Sequence, residues 1–179
     1  AGGTAGAASG DLGSVSIDGD APDYSSIADS GDGAYGVGED ITITVTWDEA
    51  VVTSDGTLSL SNGATASYTS GSASTAILFT YTVAEGASCE SSDLAVTGIG
   101  GTMADAAGGA AGDPASGGNV DLGSITVDCD APDLVSVAAT DGAYGVGEVL
   151  TITVTWDEAC TKTGTPTLTL SNSDTATYS

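Results

Sequence analysis

The chain has 179 residues and a formal net charge of −24; Lys162 is its one basic residue and histidine is absent. A surface so poor in Lys and Arg repels nucleic-acid phosphates and anionic membranes, and without histidine most acid–base and nucleophilic mechanisms lose their usual group. No apolar run reaches the roughly 18 residues that span a bilayer, and Ala1-Gly2-Gly3-Thr4 has neither the basic start nor the apolar stretch of a signal peptide, as expected of a mature chain or a section of a longer one.

In chain order, period-two alternation predicts strands. Val15 and Ile17 form a short apolar pair. Ile41, Ile43, Val45 and Trp47 face one way, and Thr42, Thr44, Thr46 and Asp48 the other. Leu58 and Leu60 alternate with serines, and Ile77, Phe79, Tyr81 and Val83 alternate with Leu78, Thr80 and Thr82. Clusters of Gly, Asp, Ser and Asn separate these runs and supply turn chemistry. No helical periodicity of useful length occurs. About seven short strands in about 110 residues predict an antiparallel β-sandwich of the immunoglobulin type.

The strands then repeat. Asp32-Gly33-Ala34-Tyr35-Gly36-Val37-Gly38-Glu39 returns as residues 141–148, and Thr42-Ile43-Thr44-Val45-Thr46-Trp47-Asp48-Glu49-Ala50 returns as residues 151–159. Asp11-Leu12-Gly13-Ser14 and Asp20-Ala21-Pro22-Asp23 return at 121–124 and 130–133. The copies lie about 110 residues apart, a domain rather than a solenoid turn. Residues 1–18 are therefore expected to end a preceding unit with a closing strand, residues 19–128 to form a complete sandwich, and residues 129–179 to begin a second. The expected fold is all-β: tandem immunoglobulin-like antiparallel β-sandwiches, one complete and one partial.

This ordered set, Asp-Ala-Pro, Tyr-Gly-Val-Gly-Glu, Ile-Thr-Val-Thr-Trp-Asp-Glu-Ala, Leu-Ser-Leu-Ser-Asn-Gly-Ala-Thr-Ala-Ser-Tyr, Phe-Thr-Tyr-Thr-Val and Met-Ala-Asp-Ala-Ala-Gly, resembles the immunoglobulin- or cadherin-like repeats of large secreted surface proteins and biofilm adhesins. The resemblance covers nearly the whole chain. It implies a long extracellular stalk, with Ca²⁺ rigidifying domain junctions. The chain departs from the family at its junctions, which read Asp-Gly-Asp and Asp-Cys-Asp where threonine is frequent, and in having cysteines, which point to added cross-linking.

The junction acids are the candidate metal ligands. Ca²⁺ takes roughly six to eight oxygens, several from carboxylates. Asp18, Asp20, Asp48, Glu49 and Asp105 are expected at one pole of the complete unit, and Asp128, Asp130, Asp157 and Glu158 around the next junction. Such a gathering of like charge repels itself unless neutralised, which favours Ca²⁺ over acids that merely cap turns.

Tyr35 and Tyr144 are read as rings packed under their own loops with the hydroxyl bonded to backbone, in preference to sugar-stacking aromatics. Trp47 and Trp156 fall on the apolar face and are expected in the core. Glu39 and Glu148 have no assigned role. The Thr rows suit half-exposed strands first, O-linked sugars second and ice binding last. No Asn-x-Ser/Thr sequon occurs. Three cysteines cannot all pair internally. Positions 129 and 160 both depart from the other copy, where Gly19 and Val51 stand, which favours a Cys129–Cys160 disulfide. Cys89–Cys129 is the competing pairing.

The expected function is non-enzymatic: a structural repeat of a secreted stalk, adhesin or extracellular fibre at the cell surface, stiffened by Ca²⁺. Its partners would be neighbouring repeats or head-to-tail copies of itself, with residues 11–18 as a donor strand. Glycans are a further expected partner; nucleic acid and membrane insertion are excluded. The alternative is a carbohydrate- or ice-binding surface module.

Overall fold

The computed structural model describes residues 14–86 and 89–179. They form two compact units, one reaching Cys129 and the other Asp130–Ser179. Both are all-β. The described residues hold no α-helix, only a 3₁₀ turn at Pro114–Gly117 capped by the Asp113 carboxylate.

The first unit contains β1 (Tyr24–Asp29), β2 (Gly33–Tyr35), β3 (Asp40–Val51), β4 (Thr57–Leu60), β5 (Thr65–Ser70), β6 (Ser74–Thr82), β7 (Ala95–Gly100), β8 (Val120–Asp121) and β9 (Ile125–Val127). Seven of them make one continuous antiparallel sheet in the order β1-β3-β6-β5-β4-β7-β8, and β2 pairs with β9 in parallel beside it. The predicted alternation is observed: Ile41, Ile43, Val45 and Trp47 are buried, and the intervening threonines of β3 are only half covered. Ile77, Phe79 and Tyr81 of β6 and Leu58 and Leu60 of β4 join the same core. The Trp47 indole N–H donates to the Gly112 carbonyl at 2.9 Å, so the largest core side chain also satisfies its polar atom.

The second unit repeats part of this plan in the same register. Its strands are β10 (Leu134–Ala139), β11 (Ile152–Trp156), β12 (Thr167–Thr169) and β13 (Thr175–Thr177). The β10–β11 ladder reproduces β1–β3, including the irregularity after its first pair, and β12–β13 reproduces β4–β5. In the first unit β6 joins those two hairpins; in the second they stay separate two-stranded sheets. Trp156 therefore departs from the core position expected of it and is 43 % exposed, against 1 % for Trp47. Val15 and Ile17 also lie exposed, and residues 14–18 form no strand, because no β2 is paired with them; residues 11–13 of the expected closing strand lie outside the described residues.

The β4–β5 and β12–β13 turns differ at two positions, Gly63 against Ser173 and Ala64 against Asp174, and the first is the one with a positive φ. Gly63 holds φ +80° in the β4–β5 turn, and Ser173 holds φ +72° in the β12–β13 turn, with equivalent turn hydrogen bonds to Leu60 and Leu170. An L side chain is disfavoured there. Ser173→Gly is expected to stabilise this hairpin by about 0.5–1 kcal/mol, read as roughly two- to fivefold slower amide exchange at Leu170.

Candidate metal centre

The end of β3 is where the acids meet. β3 and β6 pair continuously from Asp40 to Thr46 and then lose register until Val51. This releases Asp48 and Glu49 from the ladder. Just beyond, Val52 and Ala104 exchange both backbone hydrogen bonds, at 2.7 and 3.3 Å, which sets Asp105 beside the strand end. The linker brings Asp18 to the same place. One carboxylate oxygen from each of Asp18, Glu49 and Asp105 lies within 4.8 Å of the others.

Asp105 is the anchor. It is nine-tenths buried. Its Oδ1 accepts the N–H groups of Ala107, Gly108 and Gly109 at 2.7, 2.6 and 2.9 Å, while its buried Oδ2 accepts no hydrogen bond. A buried carboxylate oxygen without a donor is costly. Gly109 leaves the space beside it open, since a Cβ there would press on Oδ2 and on Ala21. A saturated oxygen on one side leaves the bare one on the other free to take a cation. The donor set has only hard oxygens, which suits Ca²⁺ and not a thiolate- or imidazole-seeking metal.

The closeness of the acids shifts their titration. Burial, then the carboxylates of Asp18, Asp48, Asp20 and Asp105, push Glu49 above its ordinary value. The Gly109 N–H, helped by those of Ala107 and Gly108, holds Asp105 below its ordinary value against the opposing effect of burial. Without metal, Asp105 thus contributes stability above its unfolded pKa that is lost as pH falls through its lower folded value. Glu49 does the reverse, favouring the fold in acid and opposing it once ionised.

Of the nine predicted ligands, three converge. Asp48 is spent mainly on structure: its Oδ1 accepts the Asp23 N–H at 2.7 Å, fixing the start of β1. The Asp20 N–H donates to Asp18 Oδ1 at 3.4 Å, and the Asp20 carboxylate bears on Glu49 through its charge. Asp128, Asp130, Asp157 and Glu158 divide between the two units. Within the second, Asp157 repeats the role of Asp48, accepting the Asp133 N–H at 2.7 Å.

The other singled-out residues also have places. Tyr35 donates to the Gly31 carbonyl at 2.9 Å and Tyr144 to that of Thr140 at 2.8 Å, so both are loop-corner tyrosines. Glu39 and Glu148 close the same corners by accepting the N–H of Gly36 and Gly145. The expected Cys129–Cys160 bond is corrected: Cys129 is bonded to Cys89, with Cα atoms 5.9 Å apart, and Cys160 is an exposed free thiol. The reason is a backbone pairing hidden from composition. Ser91 and Val127 exchange both hydrogen bonds as an antiparallel pair, and two residues outward on each side stand Cys89 and Cys129. Glu90, which no sequence signal singles out, supports the disulfide: its carboxylate accepts the Cys129 N–H at 2.7 Å.

No protein-family model matches the chain, and no curated protein or solved structure matches it. No helix among the described residues is long and apolar enough to cross a membrane.

Proposed function

We propose that the chain is a non-enzymatic structural repeat of a secreted stalk, adhesin or fibre, built from immunoglobulin-like sandwiches and stiffened by Ca²⁺ where a linker enters a unit. The observation that carries this reading is the bare, buried Oδ2 of Asp105, on a carboxylate that clusters with those of Glu49 of the fold and Asp18 of the linker. A bound Ca²⁺ would offset two of the cluster's three negative charges and tie Asp18 to β3. Pro22, buried just after the linker, accepts the Gly112 N–H at 2.7 Å and supports the same end of the unit. The extracellular setting rests on the family resemblance, decoration by glycans rests on the Thr rows as acceptors of O-linked sugars, and a disulfide accords with an oxidising compartment.

Association with neighbouring repeats or with further copies belongs to the same reading. β9 pairs with Gly33–Tyr35, and both halves of that pairing recur in the chain, as Val15–Ile17 and as Gly142–Tyr144.

Thermal melting with Ca²⁺ and with a chelator tests the metal. Ca²⁺ at about 100 times its Kd is expected to add about 2.7 kcal/mol of stability. Glu49→Gln separates a ligand from a bystander. It should raise the melting point of the chelated protein, by removing a repelled charge, and abolish the Ca²⁺ response. A melt that ignores Ca²⁺ removes the ion from the function.

A further inference from the structure

Tension along the chain would enter the first unit at Asp23–Tyr24, where β1 starts, and leave it after β9, at Cys129. The last two strands are poorly fitted to bear it. β9 is held by three residue pairs with β2 on one side and by the Ser91–Val127 pair and the Leu94 N–H on the other, and β8 by two pairs with β7. The disulfide intervenes: it joins Cys129, the exit residue, to Cys89, shortly after β6 ends at Thr82. That corner is reinforced where Gly86 donates its N–H to the Cys129 carbonyl at 3.1 Å, and Val83 exchanges backbone hydrogen bonds with Glu39 and Gly38 at the start of β3.

We propose that Cys89–Cys129 is a load bypass, carrying tension past β7, β8 and β9 to the C-terminal end of β6. The inference rests on the load-bearing reading of the chain. β1 and β6 flank β3 and each is antiparallel to it, so they run parallel to one another. β1 is then pulled from its N-terminal end and β6 from its C-terminal end, which lie at opposite ends of the three-strand layer. Interstrand hydrogen bonds stand across the strands. Pulling along the strands loads the whole β3–β6 ladder together, from Asp40–Thr82 to Thr46–Ala76, where peeling would break one bond at a time. Residues 90–128 stay enclosed by the covalent loop. With the disulfide open, the same tension falls first on the short pairings of β9, three pairs with β2 and the bonds to Ser91 and Leu94.

Force spectroscopy on the full chain, held by its two ends with and without a dithiol reductant, tests this. The closed loop spans a sequence separation of 40. The oxidised chain should unfold at the higher force and release about 130–145 Å less length than the reduced chain. Ile125→Ala in β9 should lower the unfolding force of the reduced chain only. An equal unfolding force with and without reductant overturns the bypass, as does an Ile125→Ala loss that appears equally in the oxidised chain. Repeating the pull in Ca²⁺ and chelator keeps the two readings apart. A redox-insensitive force with an intact Ca²⁺ response sinks the bypass alone, and a redox-sensitive force without any Ca²⁺ response sinks the metal-stiffened stalk alone.

Discussion

Trp47→Ala is expected to cost about 3–5 kcal/mol of unfolding free energy, and Trp156→Ala less than about 0.5 kcal/mol. The two tryptophans sit in copies of one sequence, Thr-Ile-Thr-Val-Thr-Trp-Asp-Glu-Ala, on strands of matching register. Only their coverage differs. Trp47 belongs to a core that includes Ile43, Val45, Ile77 and Phe79, and its removal leaves a cavity and strips the Gly112 carbonyl of its donor. Trp156 lies on a strand whose one ladder partner is β10. Denaturant unfolding followed by circular dichroism measures both losses, and indole fluorescence should be blue-shifted for Trp47 and red-shifted for Trp156. Equal losses would mean that the second unit's apolar face is covered in solution.

Opening the Cys89–Cys129 bond, as Cys89→Ser/Cys129→Ser, should cost about 4 kcal/mol, the loop-closure entropy returned to the unfolded chain by a separation of this size. Cys129 is fully buried and its N–H is bonded to Glu90, so a serine hydroxyl there would also need a new partner. Cys160→Ser should leave the urea midpoint where it was, since that thiol is exposed and free. A Cys160→Ser chain as unstable as the double variant would restore the pairing that the two departures from the repeat suggested.

That suggestion shows where sequence reasoning reaches its limit. Comparing copies reveals that Gly19 became Cys129 and Val51 became Cys160, and a paired change reads naturally as a paired bond. Cys89 wins because the chain after β6 returns along β9, a pairing that leaves no periodic trace in residues 84–91. The acidic cluster is legible for a different reason. Asp-x-Asp before Ala-Pro, Asp-Glu after a strand, and an Asp in a Gly- and Ala-rich loop are local signals, and strand order brings them to one pole. Their separate duties were not legible. Nothing in the spelling tells that Asp48 would bond the Asp23 N–H, or that Gly109 would keep the space beside Asp105 open.

By itself, the sequence determined β3, β4 and β6 with their buried faces, the duplicated register and the loop-corner tyrosines. Each depends on alternation and turn chemistry within a few residues, and alternation survives copying. Only the tertiary structure decided which cysteines bond, which three of nine acids converge and which tryptophan is buried. Those depend on which distant segment lies alongside, and two identical stretches therefore meet different fates: β3 lies between β1 and β6, whereas β11 has β10 alone.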